Sequence, residues 1–359
     1  MHENIEMKFM RRCLDLAARA EGMTFPNPMV GSVIVHNGEI IGEGYHVKAG
    51  FPHAEVNAIN SVADKSLLKS STIYINLEPC PNYGKTPPCT ELILSKGIPR
   101  VVAGTLDSSE DVSGKGIARL KNAGCEVVTG VLEKECRRLN RRFFTFHEKK
   151  RPYITLKWAQ SADGFLDMER PENTSMRPNW ITGKPERILV HRWRSFEQAI
   201  LAGAGTIRKD NPRLNVREWK GNDPVRLILS NSGLLDKESL IFKINGTNII
   251  FLRNTDADIC KAIKVVLNSS DSSAMQIINY LFNTGIQSLL IEGGAKVLEH
   301  FISEGLWDEA RIFTGKTSFT GGIRAPEISG ATLAETTFSR SSLRIVLNTA
   351  NQRLAAIGI

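Results

Sequence analysis

No stretch of the sequence approaches the roughly twenty uninterrupted apolar residues that a membrane-crossing helix needs, and such a span is excluded. Residues 1–16 carry a charge every few positions and no apolar block, so no secretory leader is expected and a cytoplasmic location is. Cysteine is scarce too. Six in 359 residues make a poor disulfide framework and fit a reducing compartment better. The glycine pair Gly203-Ala204-Gly205 is not a Rossmann dinucleotide fingerprint, because the third glycine and the ribose-binding acid about twenty residues on are missing.

What is present is ordinary for a globular protein: 42% hydrophobic and 23% charged residues. The length exceeds that of a usual single core, so two domains are expected, 1–147 and 148–359. Net charge is +8 and uneven, with 18 basic and 16 acidic residues through His147 and 28 and 22 beyond it. Nucleic acid, phosphorylated small molecules and a phosphate-bearing cofactor would each suit such an excess.

The chemistry-bearing stretch is His53-Ala54-Glu55, read with Pro79-Cys80 and Pro88-Cys89. Catalytic zinc takes three imidazole or thiolate ligands and leaves a fourth position open, and His53, Cys80 and Cys89 supply that set. Glu55, two places after a ligand, is positioned to move protons on metal-bound water. An H-x-E followed by P-C is the signature of zinc-dependent nucleobase deaminases, although those close with C-x-x-C and here eight residues separate the cysteines. Any one of these residues alone would read as a buried thiol or a satisfied core histidine. Together and in order they point to zinc, with Glu55 as the catalytic acid and base.

Met7, Met10, Leu14 and Ala17 recur at helical spacing and predict an opening helix. Pro26-Asn27-Pro28 leads into a strand from Val30, which Asn37-Gly38 turns back as a hairpin. Asn27 at that strand's mouth reads as a turn residue or as a hydrogen bond to substrate. A helix from His53, strands over 72–77, 100–104 and 126–131, and helices from Pro88 and over 115–122 follow, giving a mixed three-layer α/β sheet of the cytidine-deaminase-like kind. His53 and Cys89 then lie at helix N-termini, whose dipoles favour thiolate. Residues 133–147 read as one further helix, with Arg137, Arg138, Arg141 and Arg142 on a solvated face and Phe143, Phe144 and Phe146 behind it. RNA binding is the alternative for that basic and aromatic run.

In the second half a strand over 153–158 is followed by a polar loop over 168–179 and a helix ending near Ser195. Two buried strands each run out into glycine before a helix, at 199–206 and at 288–295, and two such exits from one sheet suit a dinucleotide. Strands over 225–229, 248–252, 306–314, 343–347 and 352–357 and a helix over 274–284 complete the expected α/β domain.

Residues 1–145 resemble the deaminase half of the bifunctional riboflavin-biosynthesis deaminase/reductases, in which a long insert containing Gly84-Lys85-Thr86-Pro87-Pro88-Cys89 replaces C-x-x-C. The resemblance implies that Asn27, His46 and Lys85 contact a phosphoribosylated pyrimidine. The chain departs from the family at Pro81-Asn82-Tyr83 and at Asp107-Ser108-Ser109. The second half is similar to the reductase domain of the same family, through L-K-W-A-Q-S-A-D-G, W-I-T, the segment from Gly203 to Arg217 and Glu292-Gly293-Gly294.

That likeness implies a dihydrofolate-reductase-like fold and NADPH. It places Gln160, Trp180, Thr206, Asp210, Asn231, Gly294, Ala295, Lys296, Val297, Leu298, Glu299 and His300 toward the cofactor. Arg194, Leu214, Arg217 and Glu292 would face substrate, the arginines gripping phosphate because a guanidinium fork matches its oxygens. Lys157 and Asp210 are candidate proton carriers. Pro178 stands where the family often has a substrate-contacting serine. The expected partner is the phosphoribosylated pyrimidine, with no nucleic acid and no membrane, in a homo-oligomer. The rivals are an RNA or nucleoside deaminase with an accessory domain, and a binding module that has lost one activity.

Overall fold

The computed structural model describes residues 5–82, 87–169, 179–253 and 261–350. The chain forms two compact units, Met1–Lys150 and Arg151–Ile359.

Unit one runs α1 (Ile5–Ala18), β1 (Gly31–His36), β2 (Glu39–Tyr45), α2 (Ala54–Ser61), β3 (Thr72–Ile75), α3 (Cys89–Ser95), β4 (Arg100–Ala103), α4 (Lys115–Asn122), β5 (Glu126–Thr129), α5 (Glu133–Leu139) and α6 (Arg141–Lys149). Its sheet has the order β2-β1-β3-β4-β5, antiparallel through β2, β1 and β3 and parallel from β3 onward. Strand side chains alternate between faces. Val33, Val35, Tyr74 and Val102 pack with Phe9, Met10, Cys13 and Leu16 of α1, whereas Ile34, Ile73, Ile75 and Val101 pack with Ala58 and Ile59 of α2, Ile93 of α3 and Leu120 of α4. The result is a three-layer α/β/α unit.

The single helix expected over 133–147 is two, broken at Asn140. The Asn140 amide is spent elsewhere: its Oδ1 accepts from Met29 N at 2.8 Å and its Nδ2 donates to Met29 O at 2.9 Å. This side-chain amide pair fixes the entry to β1, while the Asn140 backbone still donates to Cys136 O and accepts from Phe144 N.

Unit two runs β6 (Tyr153–Gln160), β7 (Phe165–Asp167), α7 (Lys184–Phe196), β8 (Ala199–Gly203), α8 (Ala204–Asp210), β9 (Val225–Leu229), α9 (Leu240–Lys243), β10 (Asn248–Leu252), β11 (Ile263–Val266), α10 (Ser273–Asn283), β12 (Ser288–Ile291), α11 (Ala295–Ser303), β13 (Glu309–Gly315), β14 (Ile323–Arg324), β15 (Ala331–Thr337) and β16 (Ser341–Leu347). The main sheet has the order β11-β10-β9-β8-β12-β6-β13-β16-β15. It is parallel from β11 to β13 and antiparallel through β16 and β15. Strands β8, β10 and β12 are buried along their whole length, as a parallel sheet covered on both faces requires. The strand expected over 352–357, Lys85 and most of the 168–179 loop lie outside the described residues.

Candidate active sites

The exit of β3 and the amino ends of α2 and α3 bring His53, Cys80 and Cys89 together. His53 is the extended N-cap of α2, and Cys89 opens α3 behind Pro88. Their ligand atoms all lie within 4.8 Å of one another, with His53 Nδ1 3.3 Å from Cys89 Sγ and 3.6 Å from Cys80 Sγ. Tetrahedral zinc at ordinary bond lengths separates a bound nitrogen and sulfur by about 3.5 Å, so the donor set fits that ion in kind and in spacing.

Electrostatics favour a cation at the same point. The Cys80 thiol is drawn down to about 4 by its hydrogen bond with Cys89 and then by His53, while that same bond and burial push Cys89 up. The two thiols are thus driven apart, and a divalent ion would favour the thiolate form of both. The backbone N–H of Cys89 also points at Cys80 Sγ, at 3.5 Å. Glu55 is 3% exposed and reaches Cys89, and its carboxyl is raised, first by burial and then by the Cys80 charge.

Around this centre the sequence-predicted residues fall in a chain of hydrogen bonds. Asn27 Nδ2 lies 3.1 Å from His46 Nε2, and His46 Nδ1 lies 3.1 Å from Pro52 O. A carbonyl can only accept, so Nδ1 carries the proton and Nε2 accepts from Asn27, which leaves the Asn27 carbonyl oxygen free to receive a donor. Burial lowers the His46 pKa and keeps the ring neutral. The His46 and His53 rings meet edge to face at 5.5 Å.

Sequence reasoning overlooked Glu78. Its carboxylate accepts from the backbone N–H groups of Asp107, Gly114, Gly116 and Ile117, at 2.9 to 3.1 Å. Asn82 Nδ2 donates to Asp111 O at 2.7 Å. These bonds tie the 107–117 loop to the loop carrying Cys80. The only hint in the sequence is an acid directly before Pro79-Cys80.

In unit two a cavity of about 1520 Å³ opens over the carboxyl ends of β6, β8, β9, β10 and β12. That exceeds the roughly 300–1,000 Å³ of a pocket for one small ligand and leaves room for a cofactor and a substrate together. Trp180, Thr206, Asp210, Asn231, Gly294, Ala295, Lys296, Val297, Glu299 and His300 line it, as do Arg194, Leu214, Arg217 and Glu292. Leu298 is fully buried in the core instead, and the Gln160 amide oxygen accepts from Trp158 Nε1 at 2.8 Å outside the lining. His300 is occupied on one side: its Nε2 accepts from Ala274 N at 3.3 Å and lies 3.0 Å from Ser273 Oγ, capping α10.

Arg194 has a different partner from the one expected. Its fork binds both oxygens of Glu292, at 2.7 and 2.9 Å, and its remaining nitrogen donates to Asn215 O. Lys157 Nζ also binds Glu292, at 3.3 Å. Burial would raise the Glu292 carboxyl, but Arg194 and then Lys157 more than reverse this and hold it at about 2. Arg217 also lines the cavity, together with cations that the motifs did not single out, among them Arg187, Arg213 and Arg253. His191 is held neutral: burial and then Arg194 and Arg217 lower it to about 4, and its Nδ1 accepts from Arg217 N at 3.2 Å.

Residues 3–105 match the cytidine and deoxycytidylate deaminase zinc-binding region, and residues 152–347 match the RibD C-terminal domain. The riboflavin biosynthesis protein RibD of Aquifex aeolicus is 37% identical, over 93% of this chain and 94% of its own length. The chain belongs to the RibD family of bifunctional riboflavin-biosynthesis deaminase/reductases. Among solved RibD-family structures, the Thermotoga maritima diaminohydroxyphosphoribosylaminopyrimidine deaminase/5-amino-6-(5-phosphoribosylamino)uracil reductase is 35% identical. It superposes with a TM-score of 0.88 over 97% of this chain and 99% of its own. Acinetobacter baumannii RibD is 30% identical, with a TM-score of 0.84 over 96% and 98%.

Proposed function

We propose that this RibD-family enzyme carries out two steps in sequence on one phosphoribosylated pyrimidine, deamination in residues 1–147 and reduction in residues 148–359. The observation that carries the reading is the convergence of His53, Cys80 and Cys89 beside the buried Glu55.

The first substrate is 2,5-diamino-6-(5-phosphoribosylamino)pyrimidin-4-one. His53, Cys80 and Cys89 would hold zinc, which when bound would lower the pKa of water enough to make it a nucleophile near neutral pH. Glu55 takes the proton from the incoming water, gives it to the ring nitrogen and then helps the amine leave as ammonia. A carboxyl raised by burial suits this traffic. The Asn27 carbonyl oxygen, oriented through His46, accepts from an N–H of the pyrimidine. Lys85 carries the same assignment by resemblance.

The second step reduces 5-amino-6-(5-phosphoribosylamino)uracil: the ribosyl ring opens to an imine at C1, which takes hydride at C1 and a proton at its nitrogen and so becomes the ribitylamino group. NADPH, when bound, would supply the hydride. Lys157, an ammonium paired with Glu292, stands in the cavity to give the proton, and Arg217 faces the substrate phosphate. The step needs positioning more than acid strength. Thr206 and the 294–297 turn offer backbone and hydroxyl donors to the cofactor phosphates.

The chain works in the cytoplasm as a homo-oligomer in this reading; among the described residues no helix is long and apolar enough to cross a membrane. The deciding experiment incubates purified protein with the diaminopyrimidine, with and without NADPH, and follows ammonia and nicotinamide absorbance separately. Ammonia release independent of NADPH, and NADPH consumption only after deamination, are expected. Consumption of NADPH by the diamino substrate without ammonia release would overturn the order.

A further inference from the structure

We infer that Arg253, at the exit of β10, is the residue that selects NADPH over NADH by binding the 2′-phosphate of its adenosine ribose. This rests on the nicotinamide reading above and deepens it.

Sheet order carries the argument. Lys157, the proposed proton donor, is on β6, and Arg253 follows β10, four strand steps away through β12, β8 and β9. At about 4.8 Å per step the separation is on the order of 19 Å, the reach of an extended dinucleotide. The glycine exits of β8 and β12 lie between the two, where a pyrophosphate would approach backbone N–H groups. A cofactor with its nicotinamide at the Lys157 end therefore brings its adenosine to the exits of β9 and β10.

The chemistry at that end decides which adenosine fits. In NAD-selective sites of related sheet architecture a carboxylate binds the ribose 2′-hydroxyl, whereas an arginine accommodates a 2′-phosphate. Here the cavity wall beyond β9 is Ser230, Asn231 and Ser232, and beyond β10 it is Arg253, with no carboxylate among the described lining residues of either exit. The Arg253 guanidinium is already oriented: Nη1 donates to Ser269 O at 2.9 Å and Nη2 to Asp271 O at 3.4 Å. Both partners are neutral carbonyls, so they leave the positive charge uncompensated while holding the guanidinium in one orientation at the cavity wall, which lowers the ordering cost of binding an anion there.

The test is direct binding of NADPH, NADH and adenosine 2′,5′-bisphosphate to the enzyme without substrate, by cofactor fluorescence and calorimetry. Wild-type protein should prefer NADPH. Arg253→Ala should weaken NADPH and the bisphosphate about ten- to a hundredfold and leave NADH unchanged. Arg253→Lys should keep part of the preference, and Asn231→Asp, which installs the missing acid, should shift it toward NADH. Equal loss of NADPH and NADH in Arg253→Ala, with its unfolding midpoint unchanged, overturns the assignment. Wild-type protein that binds both cofactors equally also overturns it while leaving the nicotinamide reading intact. Binding of neither overturns both.

Discussion

Glu55 and Glu292 are both buried carboxylates, and their surroundings send them in opposite directions. Glu55 faces sulfur and, among the described residues, has no lysine or arginine acting on it, so burial raises it and suits it to carry protons. Glu55→Gln should lower ammonia release about 10²–10⁴-fold while metal content, measured by elemental analysis, stays at the wild-type level. Reduction of supplied deaminated substrate should be unaffected. Glu292 is instead locked between Arg194 and Lys157 and held at about 2, below its ordinary 4.5. A depressed folded-state value contributes stability above pH 4.5 that fades as pH falls toward 2, on the order of 3 kcal/mol for this shift. Glu292→Gln leaves two buried cations without their anion and should cost about 3–5 kcal/mol near neutral pH. Chemical unfolding followed at several pH values checks both: the gap between wild type and variant should close through the same acid window.

At the scale of elements, the site depends on close approaches that particular residues permit. A Cβ on Gly116, in the first turn of α4, would collide with the carbonyl oxygen of Pro79 beside Cys80. Gly116→Ala should destabilise unit one by about 1–3 kcal/mol and weaken zinc retention against a chelator, read by unfolding and by metal content. The hairpin of β1 and β2 was legible because Asn37 and Gly38 both take positive φ, which few residue pairs accept. The glycine exits of β8 and β12 were legible for a similar reason. The break at Asn140 was not: no glycine or proline marks it, and the Met29 backbone that its side chain binds is 111 residues away. Strands β11 and β15 were missed because they are exposed sheet edges with little burial alternation, and periodicity is the signal sequence reading depends on.

At the scale of the whole chain, each unit encloses its own hydrophobic core and its own candidate site. The two activities should therefore respond separately to metal removal. Treatment with a zinc chelator should stop ammonia release and leave NADPH consumption on deaminated substrate intact, with zinc restoring the first activity. Loss of both together would mean that the metal supports more than the unit holding its ligands.

The sequence by itself determined the order of most strands and helices, the kind of ligand at positions 53, 80 and 89 and the acid at 55, because these follow from local periodicity, turn chemistry and the donor atoms a metal accepts. Only the tertiary structure decided what those side chains bind. Arg194 reads in one dimension as a phosphate grip, yet Glu292, 98 residues on, takes its fork. Glu78 has no motif of its own, yet it holds four amides of a distant loop. Charge and hydrogen-bond pairing act through space over a few ångströms, and that proximity is set by the fold rather than by spacing along the chain.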